Sequence, residues 1–543
     1  AFAVLFTLIK TDGEYVLAKL IRQAAEDNGH GGAAMSGYIG HLYARYNFYV
    51  DVGSLVLELF VVSRVVRRFG VGAAFLALPF VALAGNLALA LFGLDSLLLM
   101  EKASLRLWDR LSTFIEGSRR CSAQGRNLRI LAICGKGDNG GDALAMLRHA
   151  RSAGFENLGA VISSQPQSQS AQAQRGFLKT AGISCLGWDD LGLEEKTRLF
   201  NEADIVLDGI LGSGVKGVAQ GEALEMIEFV LEAEASSTRA LDGELKPLIA
   251  SVDIPSGLGD FWTEDMPAVK ADICLCLEPV KEVCLSPSAR KLCGRMLGVE
   301  DIFPSDLIAC AGKGFRLGDK DLEELLEPVF SESYKMSRGR VAVFAGSLGS
   351  AGAALLCAKA AIAAGAGYVY LYVDEDLYPL LASKGESFIL RPWNAGTEIP
   401  DCDVVLAGPG WGVTDDRISL LKTLGSLAAE RPLILDADAI RLIARQPGLC
   451  SSISAPCVLT PHPGELRALL KAFGIPEGAS FSQSIAELSA KLGMLVLAKS
   501  HITWIQGENS RFVWEGMTPE LGVAGSGDVL AGLYAGLLAR RMA

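Results

Sequence analysis

Residues 128–150 read LRILAICGKGDNGGDALAMLRHA, and this stretch predicts the fold of the chain. The apolar run from Leu128 to Cys134 has the length of a buried strand, and a helical pattern follows Asp142. The glycines between them let the backbone approach a ligand, and the free amides at a helix N-terminus favour phosphate. The spacing is neither that of a P-loop nor that of the G-x-G-x-x-G dinucleotide fingerprint. The residues alone therefore indicate either a nucleotide or phosphate cradle or a tight structural turn.

The same order of apolar strand, polar turn and helix recurs along most of the chain. This alternation predicts βαβ units and hence an α/β fold with parallel sheets. A polar stretch at residues 304–339 interrupts the pattern, which restarts after it. We therefore predict two three-layer αβα domains, at residues 93–310 and 337–543, joined by a linker at residues 311–336.

The composition excludes several classes of protein. The 543 residues carry 50 basic and 62 acidic side chains, a net charge of −12, which argues against nucleic acid as a partner. Half of the residues are hydrophobic, which excludes a disordered chain. Twelve cysteines are too dilute for a disulfide scaffold, and five histidines make zinc chemistry improbable. We expect the catalytic domains to be cytoplasmic.

The first 92 residues differ from the rest and are predicted to form an apolar helical segment. Residues 69–94 contain no charged side chain and are long enough to span a bilayer. Residues 48–83 resemble a helix pair of the bacterial and plastid-type ATP/ADP translocases. Three interpretations remain open for this segment: a membrane anchor or transporter remnant inserted through residues 48–94, a mis-joined reading frame, or a buried core helix.

Two further strands of the first domain end in carboxylates. Asp208 ends the strand in ADIVLDGILGSGVKG, and Asp253 ends the strand in PLIASVDIPSG. Because the carboxyl ends of parallel strands meet at one edge of a sheet, we expect both to lie near Asn139. Asn139, Asp208 and Ser256 supply hard oxygen donors, which suit an alkali or alkaline-earth cation, although a strand-end aspartate is often a helix cap.

These motifs resemble those of the YjeF N-terminal family, the NAD(P)H-hydrate epimerases, in a Rossmann-like domain. The segment GLDSLLLMEKAS at residues 93–104 is similar to an early helix of that family. The resemblance implies potassium ligation by Asn139, Asp208 and Ser256, and it makes Asp253 the candidate general base. It also implies substrate contacts at Asp138, Asn139, Gly140, Gly141, Asp142, Gly212, Ser213, Gly214, Val215, Lys216, Gly217 and Asp253.

The first domain departs from the family pattern at two places. Asp138 stands where the family usually has asparagine, and a carboxylate there repels a phosphate unless a cation or Lys136 offsets it. The family's opening helix is replaced by the apolar segment. An inactive epimerase domain beside a working second domain is therefore a competing hypothesis.

The second domain carries the motif GVAGSGDVLAG at residues 522–532. Its glycines open a helix whose N-terminal amides favour an anion, and Asp528 stands in the first turn. An aspartate there can accept a hydroxyl proton during phosphoryl transfer, although an acidic residue in a first turn is also common without any function. His462, between two prolines, is either a ligand contact or a structural histidine.

This set resembles the ribokinase-like superfamily and, within it, the NAD(P)H-hydrate dehydratases. PGWG, DADAI, LTPHPGE and AGSGDVLAG occur in the family's order. The resemblance implies catalysis by Asp528, with substrate contacts at Ala353, Gly412, His462 and Asp528. It places the adenine nucleotide against Lys499, Ser500, His501, Ile502, Thr503 and Gly527. Ser500 stands where the family usually has glycine.

Together the two resemblances imply an enzyme of metabolite repair that epimerises R and S NAD(P)HX and dehydrates the S form with ADP. They imply K⁺ in the epimerase domain and Mg²⁺ with ADP in the dehydratase domain, and we expect a homo-oligomer. A hydroxymethyl-pyrimidine or thiazole-type kinase shares the GSGD chemistry and is the rival enzyme. A membrane protein whose C-terminal domains only sense nucleotide is the rival outside enzymes.

Overall fold

A computed structural model describes most of the chain from residue 94 onward. The prediction made for residues 1–92 lies outside the described part of the chain. Ser96–Ala543 form one compact unit. No helix in the described part combines the length and the hydropathy needed to cross a bilayer. The described residues are 94–118, 121, 124–165, 167–236, 247–303, 308, 312–318, 320–321, 331–384, 387–394, 397–427, 431–454, 456–476, 480–516 and 518–542.

The first domain, residues 96–303, is built around a seven-stranded sheet. All of its strand pairs are parallel, and the strand order is β3-β2-β1-β4-β5-β6-β7. The order reverses direction between β1 and β4, where open α/β sheets bind their ligands. The strands are β1 (Ile130–Cys134), β2 (Leu158–Ile162), β3 (Ser184–Gly187), β4 (Ile205–Gly209), β5 (Leu248–Val252), β6 (Ile273–Leu277) and β7 (Arg295–Val299).

Helices cover both faces of this sheet. Alternate residues of β1 enter two separate hydrophobic clusters, with Ile130 and Ala132 in one and Leu131 and Ile133 in the other. Because both faces are buried, the strand reads as a continuous apolar run. The helices are α1 (Leu94–Gly117), α2 (Asp138–Ser152), α3 (Gln169–Thr180), α4 (Leu193–Glu202) and α5 (Glu222–Ser236).

The second domain, residues 312–542, is built around a ten-stranded mixed sheet. Its strand order is β11-β10-β9-β12-β13-β14-β15-β16-β17-β8, with antiparallel pairing from β15 to β17. The exposed edge strand β8 lies in the interval predicted as a linker and pairs with β17. The strands are β8 (Phe315–Leu317), β9 (Arg340–Phe344), β10 (Tyr368–Asp374), β11 (Ile389–Trp393), β12 (Val404–Ala407), β13 (Leu433–Leu435), β14 (Cys457–Leu459), β15 (Leu495–Ala498), β16 (Thr503–Gln506) and β17 (Arg511–Trp514).

Two helices of the second domain pack with unusually close backbones. A Cβ atom at Gly532 would lie 2.3 Å from the Cys357 carbonyl oxygen, and one at Gly536 would lie 2.4 Å from the Ala361 carbonyl oxygen. These glycines therefore set how closely α6 and α12 approach. The helices are α6 (Ala351–Ala363), α7 (Tyr378–Leu381), α8 (Asp415–Leu427), α9 (Asp438–Arg445), α10 (Pro463–Ala472), α11 (Phe481–Leu492) and α12 (Ser526–Met542).

One hydrophobic cluster runs through both domains. It joins Val283, Cys284 and Leu285 of the first domain to Trp504 and Val513 of the second. The predicted architecture of two αβα domains is confirmed, and the two share a continuous core.

Candidate functional sites

Three neighbouring strands of the first sheet, β1, β4 and β5, bring the predicted site residues to one edge. The glycine loop after β1 touches the residues after β4, because a Cβ at Gly135 would lie 1.9 Å from the Ile210 carbonyl oxygen. A Cβ at Gly140 would lie 2.3 Å from the Gly135 carbonyl oxygen. Any larger residue would therefore force the loop open. The helix predicted after Asp142 begins earlier, because α2 starts at Asp138 and its first turn includes Asn139, Gly140 and Gly141.

The three predicted cation ligands gather around the backbone of Leu211. Asp208 is fully buried, and its carboxylate accepts hydrogen bonds from Ser256 Oγ at 2.5 Å and Ser256 N at 2.9 Å. Ser256 Oγ lies 3.1 Å from the Leu211 carbonyl oxygen, to which Asn139 Nδ2 donates at 3.0 Å. Burial raises the pKa of Asp208, and the hydrogen bonds from Ser256 and Ser251 oppose this rise. Asp208, Ser256 and the Leu211 carbonyl present oxygens here, which suit a hard cation, whereas Asn139 turns its amide nitrogen toward Leu211.

A second group lies beside this cluster and contains two buried carboxyls and one lysine. Asp253 is 7% exposed and has a φ of +66°, a strained backbone for a residue other than glycine. Lys281 Nζ lies 2.5 Å from Asp253 Oδ1. Burial raises the pKa of Asp253 while Lys281 lowers it. Burial also raises the pKa of Asp142 well above its usual range, as do the charges of Asp253 and Asp138.

The remaining predicted contacts of the first domain line the same edge. Ser168 Oγ donates to Asp138 Oδ1 at 2.7 Å, so the residue that departs from the family pattern is tied to the start of α3. A Cβ at Gly212 would lie 3.4 Å from Asn139 Cβ, which places the Gly212–Gly217 loop against the first glycine loop. The loop after Asp253 contacts it too, since a Cβ at Gly259 would lie 2.6 Å from the Val215 carbonyl oxygen.

The carboxyl edge of the second sheet brings Asp528 close to an ion pair. Lys499 Nζ lies 2.6 Å from Asp436 Oδ1, which also accepts a bond from Thr460 Oγ1 at 2.8 Å. A Cβ at Gly527 would lie 3.7 Å from Lys499 Nζ. Burial raises the pKa of Asp528, Asp436 raises it further, and Lys499 opposes them. A carboxyl at the edge of the sheet, next to a lysine, is placed where it can accept a proton from a bound hydroxyl.

Of the other predicted substrate contacts in this domain, Gly412 and His462 lie on loops and Ala353 lies in the first turn of α6. His462 is half exposed and caps α10, with Nδ1 accepting from Gly464 N at 3.0 Å and Nε2 3.2 Å from Glu465 Oε1. This geometry fits a neutral ring with its proton on Nε2. Gly412 N donates to Asp438 Oδ2 at 2.8 Å. The preceding Gly410 packs on α6 beside Ala353, where an added Cβ would come within 3.0 Å of Ala353 Cβ.

The predicted nucleotide loop from Lys499 to Thr503 adjoins the His462 loop. Lys499 N donates to the Pro461 carbonyl oxygen at 2.8 Å. The Ser500 hydroxyl bonds across the turn to the carbonyl oxygen of Ile502 at 2.5 Å. The serine that replaces the family's usual glycine therefore closes the loop locally, and the first residue of β16 follows at Thr503.

Sequence reasoning missed two site residues. Lys281 stands in the mixed stretch LEPVKEVCL at residues 277–285, and no sequence spacing places it against a carboxylate 28 residues earlier. Asp436 is the first residue of the quoted DADAI motif, but the sequence analysis assigned it no role. Its position directly after an apolar strand was the available signal, the same one that identified Asp208 and Asp253.

No group of three or more histidine, cysteine or acidic side chains suited to a metal ion occurs among the described residues. This finding leaves the proposed potassium set untouched, because that set has one carboxylate, one amide and one hydroxyl.

Two α/β sheets, each with glycine loops and carboxylates at its carboxyl edge, give the chain two separate candidate sites, an arrangement typical of a two-domain α/β enzyme. The model for NAD(P)H-hydrate dehydratase matches residues 341–543, and the model for YjeF-related protein N-terminus matches residues 96–283.

Several relatives carry both parts in one chain. A bifunctional NAD(P)H-hydrate repair enzyme of Moorella thermoacetica is 30% identical over 83% of this chain and 85% of its own. The corresponding enzyme of Thermofilum pendens is 28% identical over 82% and 84%. A solved ADP/ATP-dependent NAD(P)H-hydrate dehydratase of Bacillus subtilis covers 42% of this chain and 81% of its own at 25% identity, with a TM-score of 0.36. The chain belongs to the family of bifunctional NAD(P)H-hydrate repair enzymes.

Proposed function

We propose that this chain restores damaged reduced nicotinamide nucleotides in two steps. The first domain interconverts the R and S epimers of NAD(P)HX, which carries a hydroxyl at C6 of the reduced ring. The second domain dehydrates the S epimer to NAD(P)H at the expense of ADP. The proposal is carried by two carboxylates, each at the carboxyl edge of its own sheet and beside a lysine. Asp253 is buried and pairs with Lys281, and Asp528 is half-buried and lies near Lys499.

In the second domain Asp528 accepts the proton of the C6 hydroxyl while the hydroxyl oxygen takes the terminal phosphoryl group of ADP. AMP leaves, and phosphate is then eliminated from C6 while C5 loses a proton to solvent, so that the C5=C6 double bond of the reduced ring forms again. The N-terminal amides of α12 and the ammonium of Lys499 face the transferring group, where positive charge stabilises it. We assign the nucleotide to the Lys499–Thr503 loop and Gly527, and the nicotinamide part to Ala353, Gly412 and His462. Bound Mg²⁺ would screen the phosphates.

In the first domain we assign Asp253 as the base at the epimerised centre. Its burial at the carboxyl edge of the sheet beside Lys281, which favours the ionised form of the carboxyl, supports this assignment. The N-terminal residues of α2, Asp138–Asp142, and the Gly212–Gly217 loop would hold the substrate. K⁺ would be held by Asn139, Asp208, Ser256 and the Leu211 carbonyl. Its positive charge would offset the negative charge of the Asp138 carboxylate.

Separate assays test the two halves on the full chain. Without ADP, the chain should convert pure R-NADHX to an equilibrium mixture of the R and S epimers, which a chiral or reversed-phase column separates. Asp253→Asn should abolish this conversion. Pure S-NADHX with ADP and Mg²⁺ should yield NADH, and Asp528→Asn should stop this while epimerisation continues. An R epimer that persists with the unsubstituted chain would refute the epimerase assignment.

The potassium assignment has its own test. Epimerisation should be faster in K⁺ than in tetramethylammonium at equal ionic strength, and Ser256→Ala should remove most of the difference. Equal rates in both salts would refute the assignment of this cluster to a cation.

A further inference from the structure

Lys281 connects the proposed base of the first domain to a turn that the second domain holds. Its Nζ atom lies 2.5 Å from Asp253 Oδ1 and 3.1 Å from the Leu277 carbonyl oxygen. The lysine immediately precedes a short 3₁₀ turn, Glu282–Leu285. The lysine backbone lies at the start of the turn, so the position of the turn decides whether the ammonium can reach both Asp253 and the Leu277 carbonyl.

Side chains of the second domain hold both ends of this turn. Glu282 receives the Arg511 guanidinium and a hydrogen bond from Ser482 Oγ at 2.8 Å. Trp504 Nε1 donates to the Leu285 carbonyl oxygen at 2.8 Å, and this indole is 1% exposed. The turn is thus bonded to β16, β17 and the start of α11.

A second ion pair, further along the same segment, reinforces the attachment. Arg290 Nε lies 2.8 Å from Glu515 Oε2, and the two side chains are 6% and 9% exposed. Separating a buried ion pair is costly, because it leaves a charge without its partner in the interior. This pair therefore helps to hold the segment against the second domain. Val283 and Leu285 meanwhile enter the core that contains Val513. The segment that carries Lys281 is therefore built into the second domain as much as into the first.

We propose that Lys281 is a positioning residue of the epimerase, and that the dehydratase domain sets its position through Arg511, Ser482 and Trp504. This inference rests on the proposed role of Asp253. It implies that epimerisation requires the second domain in place, whereas dehydration does not require Lys281.

The charges around Asp253 make the lysine consequential. Asp142 faces it from α2 as a second carboxyl, and the thiols of Cys274 on β6 and Cys284 on the turn lie nearby. Among these groups Lys281 is the one that favours the ionised form of Asp253. Its removal would leave only the backbone hydrogen bond at Leu277 to oppose the effect of burial, so the pKa of Asp253 would rise further and a smaller fraction of the base would be ionised.

The test compares Lys281→Met and Lys281→Arg in the full chain, with the two assays run separately. We expect Lys281→Met to slow R-to-S conversion about tenfold or more at neutral pH and to move the acidic limb of its pH profile upward. Lys281→Arg should recover most of the rate. Dehydration of S-NADHX by both variants should stay within about twofold of the unsubstituted chain, which excludes general unfolding. An unchanged profile for Lys281→Met would overturn the proposal.

A substitution of Arg511 tests whether the second domain positions Lys281. Arg511→Met should slow epimerisation by about threefold to tenfold, because one charged contact to the turn is lost. Arg431→Met is the matched control, since its partners Asp401 and Cys402 belong to the second domain. Equal epimerisation by Arg511→Met and Arg431→Met would refute the positioning by the second domain.

If the unsubstituted chain does not convert R-NADHX, the proposed epimerase function fails, and the ion pair is then judged without activity. Thermal unfolding of Lys281→Met, Asp253→Asn and the double variant at neutral pH forms a double-mutant cycle. Non-additive shifts in Tm would support the coupling of the two residues. Additive shifts would overturn it.

Discussion

Replacing Gly532 by alanine tests how the second domain positions its proposed base. The substitution adds a Cβ atom 2.3 Å from the Cys357 carbonyl oxygen and 2.8 Å from Ala360 Cβ. An ordinary contact is about 3.5 Å or more, so α12 must move away from α6 by about 1 Å. Asp528 lies one helical turn earlier on α12, and we expect the movement to displace it from Lys499.

Gly532→Ala changes the free energy of unfolding through two contributions of opposite sign, and a control variant separates them. Overpacking costs about 1 to 3 kcal/mol, whereas alanine in place of glycine within a helix gains about 1 kcal/mol. Gly176 offers a matched control, because it lies within α3 and nothing would lie within 4 Å of its added Cβ. Gly176→Ala should therefore raise Tm, and Gly532→Ala should leave it unchanged or lower it.

The catalytic effect follows from the displacement. A misplacement of about 1 Å costs about a hundredfold in rate, so kcat for dehydration of S-NADHX should fall by that order in Gly532→Ala. Epimerisation of R-NADHX by the same variant should not change. The measurements are calorimetry for Tm and the two separate activity assays. The reasoning is refuted if Gly532→Ala is stabilised as much as Gly176→Ala and keeps its kcat within about twofold.

Three other substitutions test individual carboxyls. Asp528→Asn should lower kcat for dehydration by about a hundredfold to ten-thousandfold, with ADP binding retained in calorimetric titration; lost binding would instead indicate a role in affinity. Asp142 has a raised pKa, so its favourable contribution to folding is present at low pH and lost as pH rises. Asp142→Asn should therefore raise Tm at neutral pH but not below pH ~4, and an equal shift at both would contradict this. Burial raises the pKa of Glu101, but its bonds to His149 and Arg148 prevail and lower it to about 2. Glu101→Gln should thus lower Tm at neutral pH, an effect that fades as pH falls toward 2, and a constant effect would contradict it.

The sequence predicted those parts of the fold that depend on local order. Buried strands such as Ile130–Cys134 are recognised by unbroken apolar runs, and their carboxyl ends identify Asp208 and Asp253 because parallel strands end together. The same reasoning placed Asp528 in the first turn of a helix, where the structure has it.

Contacts between distant segments were beyond the sequence. Lys281 reaches Asp253 through a turn whose position depends on Trp504, more than 200 residues later. No periodicity encodes such a contact, since it follows from tertiary packing. Strand β8 was missed for a related reason. Its residues are largely exposed, so it lacks the apolar pattern and forms because β17 offers a free edge.

The most direct test of the account supplies the full chain with a mixture of R and S NADHX, together with ADP, Mg²⁺ and K⁺. The return of absorbance from reduced nicotinamide reports repair. The account predicts recovery of the whole mixture, because the first domain supplies S epimer as the second consumes it. Recovery that stops at the S fraction would contradict the epimerase, and a product that retains its phosphate would favour a small-molecule kinase instead.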